Sequence, residues 1–331
     1  MILHFFRHNA FIYIGFFMLF LTSCSQDGYK RIEGMIWNTS YHITYENEKD
    51  LTDSIMQVFN IIDGSLNVFN ESSLVSQVNK ADSLKIDSDF AAVYENSRKI
   101  NRISDGAFDP TLGPLIDAWG FGKGHKATSD TLRLDSLLSI TGLERTSLKN
   151  NILYKENPLI RFNFSAIAKG YACDRIGEML KRNGTKSYLV EIGGEIRCEG
   201  LSPSNGKWTV SIDKPILSDS VLHDSQCIIL LSQGGVATSG NYRNFHKSGN
   251  DTYGHTLSSK TGRPVKTDVL SATIVAPTAM EADALATTCM ALGFEKSKIL
   301  VEKTNVAVLL VLSNGEVWQN KKFKDLESTA K

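Results

Sequence analysis

Pro277-Thr-Ala-Met-Glu-Ala-Asp-Ala-Leu-Ala-Thr287, running on to Gly293, reads as a helix marked at both ends. Thr278 suits the N-cap, and Glu281 three residues later suits the closure of a capping box. Gly293 fits a left-handed stop. Between these marks nearly every residue is Ala, Leu, Met or Cys, the composition of a buried helix. Asp283 and Thr287 are exceptions, and their four-residue spacing projects a carboxylate and a hydroxyl from one face. Two oxygen ligands on an apolar helix suit a hard cation such as Mg²⁺. A back-bond from Thr287 to the Asp283 carbonyl, with Asp283 in solvent, is the simpler account of the helix taken alone, and the rest of the chain has to decide between the two.

Working outward, Ser271 to Ala276 is a strand candidate before this helix, and Lys296 to Lys303 (helix) and Val306 to Leu312 (strand) follow it. Upstream, Met35 to Tyr45 alternates as a strand, Leu51 to Leu66 carries a helical apolar stripe, and a further helix covers Asp89 to Ser104. Gly106 to Gly124 reads as an ordered loop rich in Gly, Pro and aromatics. Thr128 to Ile140 is helical and Ile152 to Phe164 supplies a strand or two. Ala166 to Asn183, stopped by Gly184, is helical. Ser187 to Ile192 and Glu195 to Glu199 flank Gly193-Gly194 as a hairpin. Trp208 to Asp213 and Cys227 to Ser232 are further strands, and the C-terminus trails off in charge. The mixed order favours α+β over a regular βαβ array.

The chain has 331 residues and 42% apolar content, enough for one large domain or two average ones. Lys+Arg and Asp+Glu balance at 36 each, which excludes a basic nucleic-acid footprint. At the N-terminus Arg7 precedes an apolar run from Ala10 to Leu21, with the dimensions of a signal-peptide core. Leu21-Thr-Ser-Cys24 resembles a bacterial lipobox. Cys24 would then be lipidated after removal of residues 1–23, with 24–33 as tether and 34–325 as the globular domain. The protein would sit at a bacterial membrane surface on its extracytoplasmic, periplasmic side, held by acyl chains such as palmitate. Cys173, Cys198, Cys227 and Cys289 form no CxxC pair, so a thiolate metal cluster is not expected.

Three other stretches carry chemistry. In Ser165-Ala-Ile-Ala-Lys-Gly170 a helix start offers free N–H groups, and Lys169 adds a point charge for phosphate, or is a surface lysine. In Ala118-Trp-Gly-Phe-Gly122 glycines would let backbone approach a flat ligand while rings cover it, or the rings plug the core. In Tyr253-Gly-His-Thr-Leu-Ser-Ser-Lys-Thr-Gly-Arg-Pro264, His255 is placed for acid–base work or is structural.

Together GAFDPTLGPL with WGFG, SAIAKGYACD, EIGGEI, GGVATSGNYRNF, the GH…TGRPV loop and APTAMEADALATT resemble the FAD:protein FMN transferases, the ApbE family, from about Met35 to about Leu312. The resemblance implies an ApbE-like, T-fold-like α+β domain, as one body or as two subdomains with the FAD site between them. It implies Mg²⁺-dependent transfer of FMN from FAD to a Thr hydroxyl of a target flavoprotein, through a phosphoester, with release of AMP. The target would carry a Ser/Thr-Gly-Ala-Thr acceptor motif, as in redox-pump subunits. FAD pyrophosphatase activity and non-catalytic FAD binding are the alternatives. By motif, Asp283, Thr287 and the Ala166 carbonyl would hold Mg²⁺. Lys169 and Asn163 would contact FAD, and Met35, Phe69, Trp119, Gly120, Phe121 and Leu257 would line its rings. His255 would be the base, with Asp283 the second candidate. Two departures stand out. Asn163 replaces a common Asp, and His255-Thr-Leu-Ser-Ser-Lys-Thr-Gly262 lacks the usual Asp-Pro-Arg, which would loosen that loop.

Overall fold

The computed structural model describes residues 28–122, 130–215, 224–240, 245–248 and 251–328. The expected leader and the lipidation site Cys24 lie outside them. In chain order the first elements are β1 (Tyr29–Ile36), β2 (Thr39–Glu46), α1 (Thr52–Leu66), α2 (Leu74–Val78), β3 (Ser83–Lys85), α3 (Ser88–Ile103) and α4 (Gly113–Ala118). Next come α5 (Thr131–Leu138), β4 (Thr146–Lys149), β5 (Ile152–Lys155), α6 (Ala168–Arg182), β6 (Tyr188–Ile192), β7 (Glu195–Glu199), β8 (Trp208–Asp213), β9 (Ser225–Leu231) and β10 (Gln233–Gly240). The last are β11 (Phe245–Ser248), β12 (Asp251–Gly254), β13 (Val269–Ala276), α7 (Ala279–Leu292), α8 (Phe294–Thr304), β14 (Ala307–Leu312), β15 (Val317–Gln319) and α9 (Lys321–Lys324).

An antiparallel eight-stranded sheet, ordered β1-β2-β6-β7-β10-β13-β14-β15, is the spine. Its two faces are written in the strands' alternation. Val308, Leu310 and Leu312 of β14 enter one core with Ala282, Leu285 and Met290 of α7 and Ile176 of α6. Ala307, Leu309 and Val311 enter the other, with Trp208, Ile229 and Phe323. Helices thus cover one face, and the β8–β9 ribbon with α9 covers the other, an α+β arrangement as expected. A satellite core joins Leu112 and Leu115 to Leu134 and Leu257.

The structure corrects several expectations. Met35 to Tyr45 is no single strand: Trp37 and Asn38 both adopt positive φ, 48° and 60°, and turn the chain into the β1–β2 hairpin. Part of the expected tether is therefore strand, because β1 begins at Tyr29. The stretch from Gly106 contains α4, with Pro114 in its first turn. The charged stretch near the C-terminus carries α9, which Asn320 caps and whose Phe323 is fully buried. Strands β3, β4, β10, β11, β12 and β15 were not expected. At α7, Thr278 Oγ1 accepts Glu281 N–H at 3.1 Å, but Glu281 pairs with Lys99 at 2.9 Å, so only half of the capping box forms. Cys173, Cys198, Cys227 and Cys289 are free thiols.

Candidate functional site

Three elements meet where the sequence pointed. Helix α7 presents Asp283, 3% exposed, whose Oδ2 accepts the Gly170 backbone N–H at 3.1 Å in the first turn of α6. One turn on, Thr287 Oγ1 is 3.1 Å from Ser239 Oγ on β10. The back-bonding hydroxyl is that of Thr288, to Ala284 O, so Asp283 faces the protein and Thr287 faces β10. This close approach depends on glycine. A Cβ on Gly170 would lie 2.3 Å from Ala279 O, and one on Gly235 2.1 Å from Ala279 N. Ala279, the first residue of α7, is thus held between two other backbones.

Asp174 of α6 fixes that same end. Its two oxygens accept the N–H groups of Ala279 and Met280, at 2.9 and 2.8 Å, a cap supplied from another helix. Burial pushes its carboxyl up to about 6, against those two bonds and Arg197. Arg197 also donates to the Pro277 carbonyl.

Burial likewise raises Asp283, opposed by Lys169 and the Gly170 N–H. A buried carboxylate beside a hydroxyl suits a hard cation. Ala166 lies just before α6, in the turn that Asn163 shapes: Asn163 Oδ1 accepts Ser165 N–H at 2.9 Å, and its own N–H donates to Pro110 O at 2.8 Å. Asn performs the acceptor role here that Asp would perform, and keeps its NH₂ as a donor. Among the described residues no group of three or more His, Cys, Asp or Glu is placed to hold a metal, so an ion here would draw part of its ligand set from neutral oxygens.

Lys169 is not a plain surface lysine. Its Nζ lies 2.6 Å from Glu195 Oε2, and Glu195 is 5% exposed. Burial penalises the Lys169 charge, but Glu195 and Asp283 outweigh that and hold it protonated.

The aromatic loop and the His255 loop form one unit. Trp119 Nε1 donates to Gly262 O at 2.8 Å, and the Phe121 ring meets the His255 ring edge-on with centroids 6.4 Å apart. The loop is not loosened by its missing Asp and Pro. Ser258 Oγ accepts the N–H groups of Lys260 and Thr261, Ser259 donates to Gly106 O, and Lys260 pairs with Asp105 at 2.7 Å. Gly120 adopts φ 80° between the two rings. Leu257 is buried with Leu112 and Leu115, so its side chain serves the satellite core.

Met35 and Phe69 are exposed, 71% and 54%. One carboxylate organises both: Asp63 accepts from Trp37 Nε1 at 2.9 Å, and from Asn67 and Asn70 Nδ2 at 2.7 Å each. Phe69 and Asn163 border a cleft of about 200 Å³ whose walls include Lys80 and the Arg161–Asp117 ion pair. Sequence reasoning missed Asp63, Asp174, Glu195 and Ser239, although three of them lie inside quoted motifs.

The ApbE family model matches residues 37–310. The FAD:protein FMN transferase of Vibrio cholerae is 29% identical over 313 residues, which is 90% of this chain and 92% of that one. That of Haemophilus influenzae is 30% identical over 318 residues, 90% and 91% of the two chains. Among solved structures, the flavin transferase ApbE from Vibrio cholerae aligns with a TM-score of 0.80 at 28% identity, covering 90% of this chain and 99% of that one. The apo flavinyl transferase ApbE of Pseudomonas stutzeri aligns at 0.82 and 28%, covering 90% and 96%.

Proposed function

The chain belongs to the ApbE family, and we propose that it transfers FMN from FAD to a Thr hydroxyl of a target flavoprotein, with Mg²⁺ as cofactor. The observation that carries this reading is the meeting of α6 and α7 at the Gly170–Asp283 bond, which sets Lys169 and Thr287 at the same junction. In the reaction the Thr oxygen attacks the phosphorus of the FMN half, and the bond from that phosphorus to the bridging oxygen breaks. AMP departs with the bridging oxygen, and the hydroxyl proton passes to a base. His255 is our candidate for the base, a role worth about 10²–10⁴-fold. Asp283, Thr287 and the Ala166 carbonyl would hold Mg²⁺. The ion would spread the pyrophosphate charge.

Lys169 offers the pyrophosphate a fixed positive charge. Trp119, Phe121, Met35 and Phe69 offer the rings apolar faces, with Gly120 admitting backbone between them, Asn163 supplying a donor and Leu257 shaping the loop from behind. We place the protein outside the cytoplasm, anchored through lipidated Cys24, where its client is an extracytoplasmic redox-pump subunit or a similar flavoprotein with a Ser/Thr-Gly-Ala-Thr motif.

The test is incubation with FAD and Mg²⁺, with and without an acceptor domain carrying that motif. Fluorescent flavin that stays on the acceptor in a denaturing gel, with one AMP released per flavin, supports transfer. FMN and AMP without acceptor would indicate a pyrophosphatase, and FAD bound without AMP release a binding protein.

A further inference from the structure

Glu195 has no role in the reading so far, and its setting calls for one. It opens β7 directly after Gly193-Gly194, which turn the hairpin with φ of 60° and 98° and bring its side chain against α6. Its backbone carbonyl accepts Cys173 Sγ at 3.2 Å, and its Oε2 meets Lys169 Nζ at 2.6 Å. The residue after Lys169 is Gly170, whose N–H rests on Asp283. The Lys169 ammonium therefore bonds to Glu195 and feels the buried Asp283 carboxylate through space, without a direct bond to it. Removing a carboxylate from water costs several kcal/mol, and packing alone is served equally well by an apolar residue of that volume. A lysine stem has large rotamer freedom, and the Lys169 side chain is 34% exposed, so without an anchor its charge would wander into solvent. A short charge-assisted bond removes that freedom.

We propose that Glu195 is a positioning residue for the flavin-transfer reaction: it fixes the Lys169 ammonium beside Asp283, where the FAD pyrophosphate is to be received. This rests on the function proposed above. Once a divalent cation satisfies Asp283, Glu195 is the anchor left to Lys169. The role is geometric, and that separates it from simple electrostatics. Burial raises the Glu195 carboxyl and Lys169 opposes this; with the pair ionised, replacing Glu195 by Gln leaves the site one unit more positive, which by charge alone would tighten binding of an anion. Positioning requires the opposite, because the freed ammonium no longer waits at the phosphates.

The experiment titrates the full chain, with Mg²⁺ present, with FAD and separately with riboflavin, which lacks phosphate. It compares wild type, Glu195→Gln, Glu195→Asp, Lys169→Met and the Lys169→Met/Glu195→Gln double variant. Glu195→Gln is expected to weaken FAD about tenfold and riboflavin less than about twofold, with Glu195→Asp in between, since the lost bond is charge-assisted. In the Lys169→Met background the Gln substitution should add nothing. Unchanged or tightened FAD binding, equal weakening of riboflavin, or additive losses would each overturn the proposal. The titrations need no acceptor and no turnover. A wild-type chain that binds FAD but transfers nothing defeats the proposed function and leaves the affinities to judge Glu195; one that binds no FAD defeats both.

Discussion

The indole N–H of Trp119 donates to the carbonyl of Gly262 across 143 positions of sequence, at 2.8 Å. This bond ties the loop that would cover the flavin to the turn that follows His255. Trp119→Phe keeps an aromatic face and removes the donor, leaving the Gly262 carbonyl short of a partner. A lost bond of this kind costs about 1–3 kcal/mol, and here it falls on the placement of His255. We expect kcat to fall roughly tenfold with FAD affinity changed less than about threefold. Steady-state kinetics beside FAD titration checks this, and a purely affinity-based loss would contradict it.

The metal arm predicts a separation of activity from stability. Asp283→Ala and chelation should each abolish transfer, on the order of 10³-fold, and added Mg²⁺ should restore only the chelated wild type. Thermal melts should show only a modest loss for Asp283→Ala in the metal-free protein, about 1–3 kcal/mol, because the Gly170 N–H loses its acceptor while a costly buried carboxylate also goes. An Asp283→Ala variant that keeps full transfer would exclude this site.

Asp63 predicts a different split. Asp63→Ala leaves Trp37, Asn67 and Asn70 without their shared acceptor and releases both the Met35 hairpin and the Phe69 loop. FAD affinity should weaken about tenfold while kcat at saturating FAD holds, since neither residue meets the reacting phosphorus. Equal loss in both parameters would count against this assignment.

Asp174 sets a pH dependence. Its carboxyl is raised to about 6 in the folded chain, so folding takes up a proton between the ordinary Asp range and pH 6. Its contribution to stability is complete below the unfolded value and is lost as pH rises through about 6. Asn at this position cannot titrate. Denaturant unfolding should therefore show the wild type losing roughly 2 kcal/mol relative to Asp174→Asn between pH 4 and pH 7. A difference that stays constant over this range would refute the assignment.

The elements that sequence reasoning located are those whose signals are local. Leu51 to Leu66 repeats its apolar residues at helical spacing, and Gly193-Gly194 marks its own turn. Strand β10 escaped because Gly234-Gly-Val-Ala-Thr-Ser-Gly240 has no aromatic residue and sets its two branched ones, Val236 and Thr238, among three glycines, which are depleted in strands. Its small residues answer to α7 packed across it, a demand invisible within the strand. Trp37-Asn38 escaped because neither is glycine, though both sit at positive φ. In the site, Asp283, Thr287 and Lys169 stood out as polar residues in telling surroundings. Glu195 and Asp174 did not, since their partners lie 26 and 105 positions away and only the fold brings them together. Ser258 shows the converse: the missing Asp suggested a slack loop, yet a hydroxyl accepts two backbone N–H groups there.

Ala279 between Gly170 and Gly235 gives the proposed reaction centre a gauge set by main chain against main chain. Backbone has no rotamers to explore, so warming that loosens side chains elsewhere leaves this spacing alone until helix and sheet part. Heat should then extinguish catalysis and melt the fold at one temperature, with no dead but folded enzyme in between.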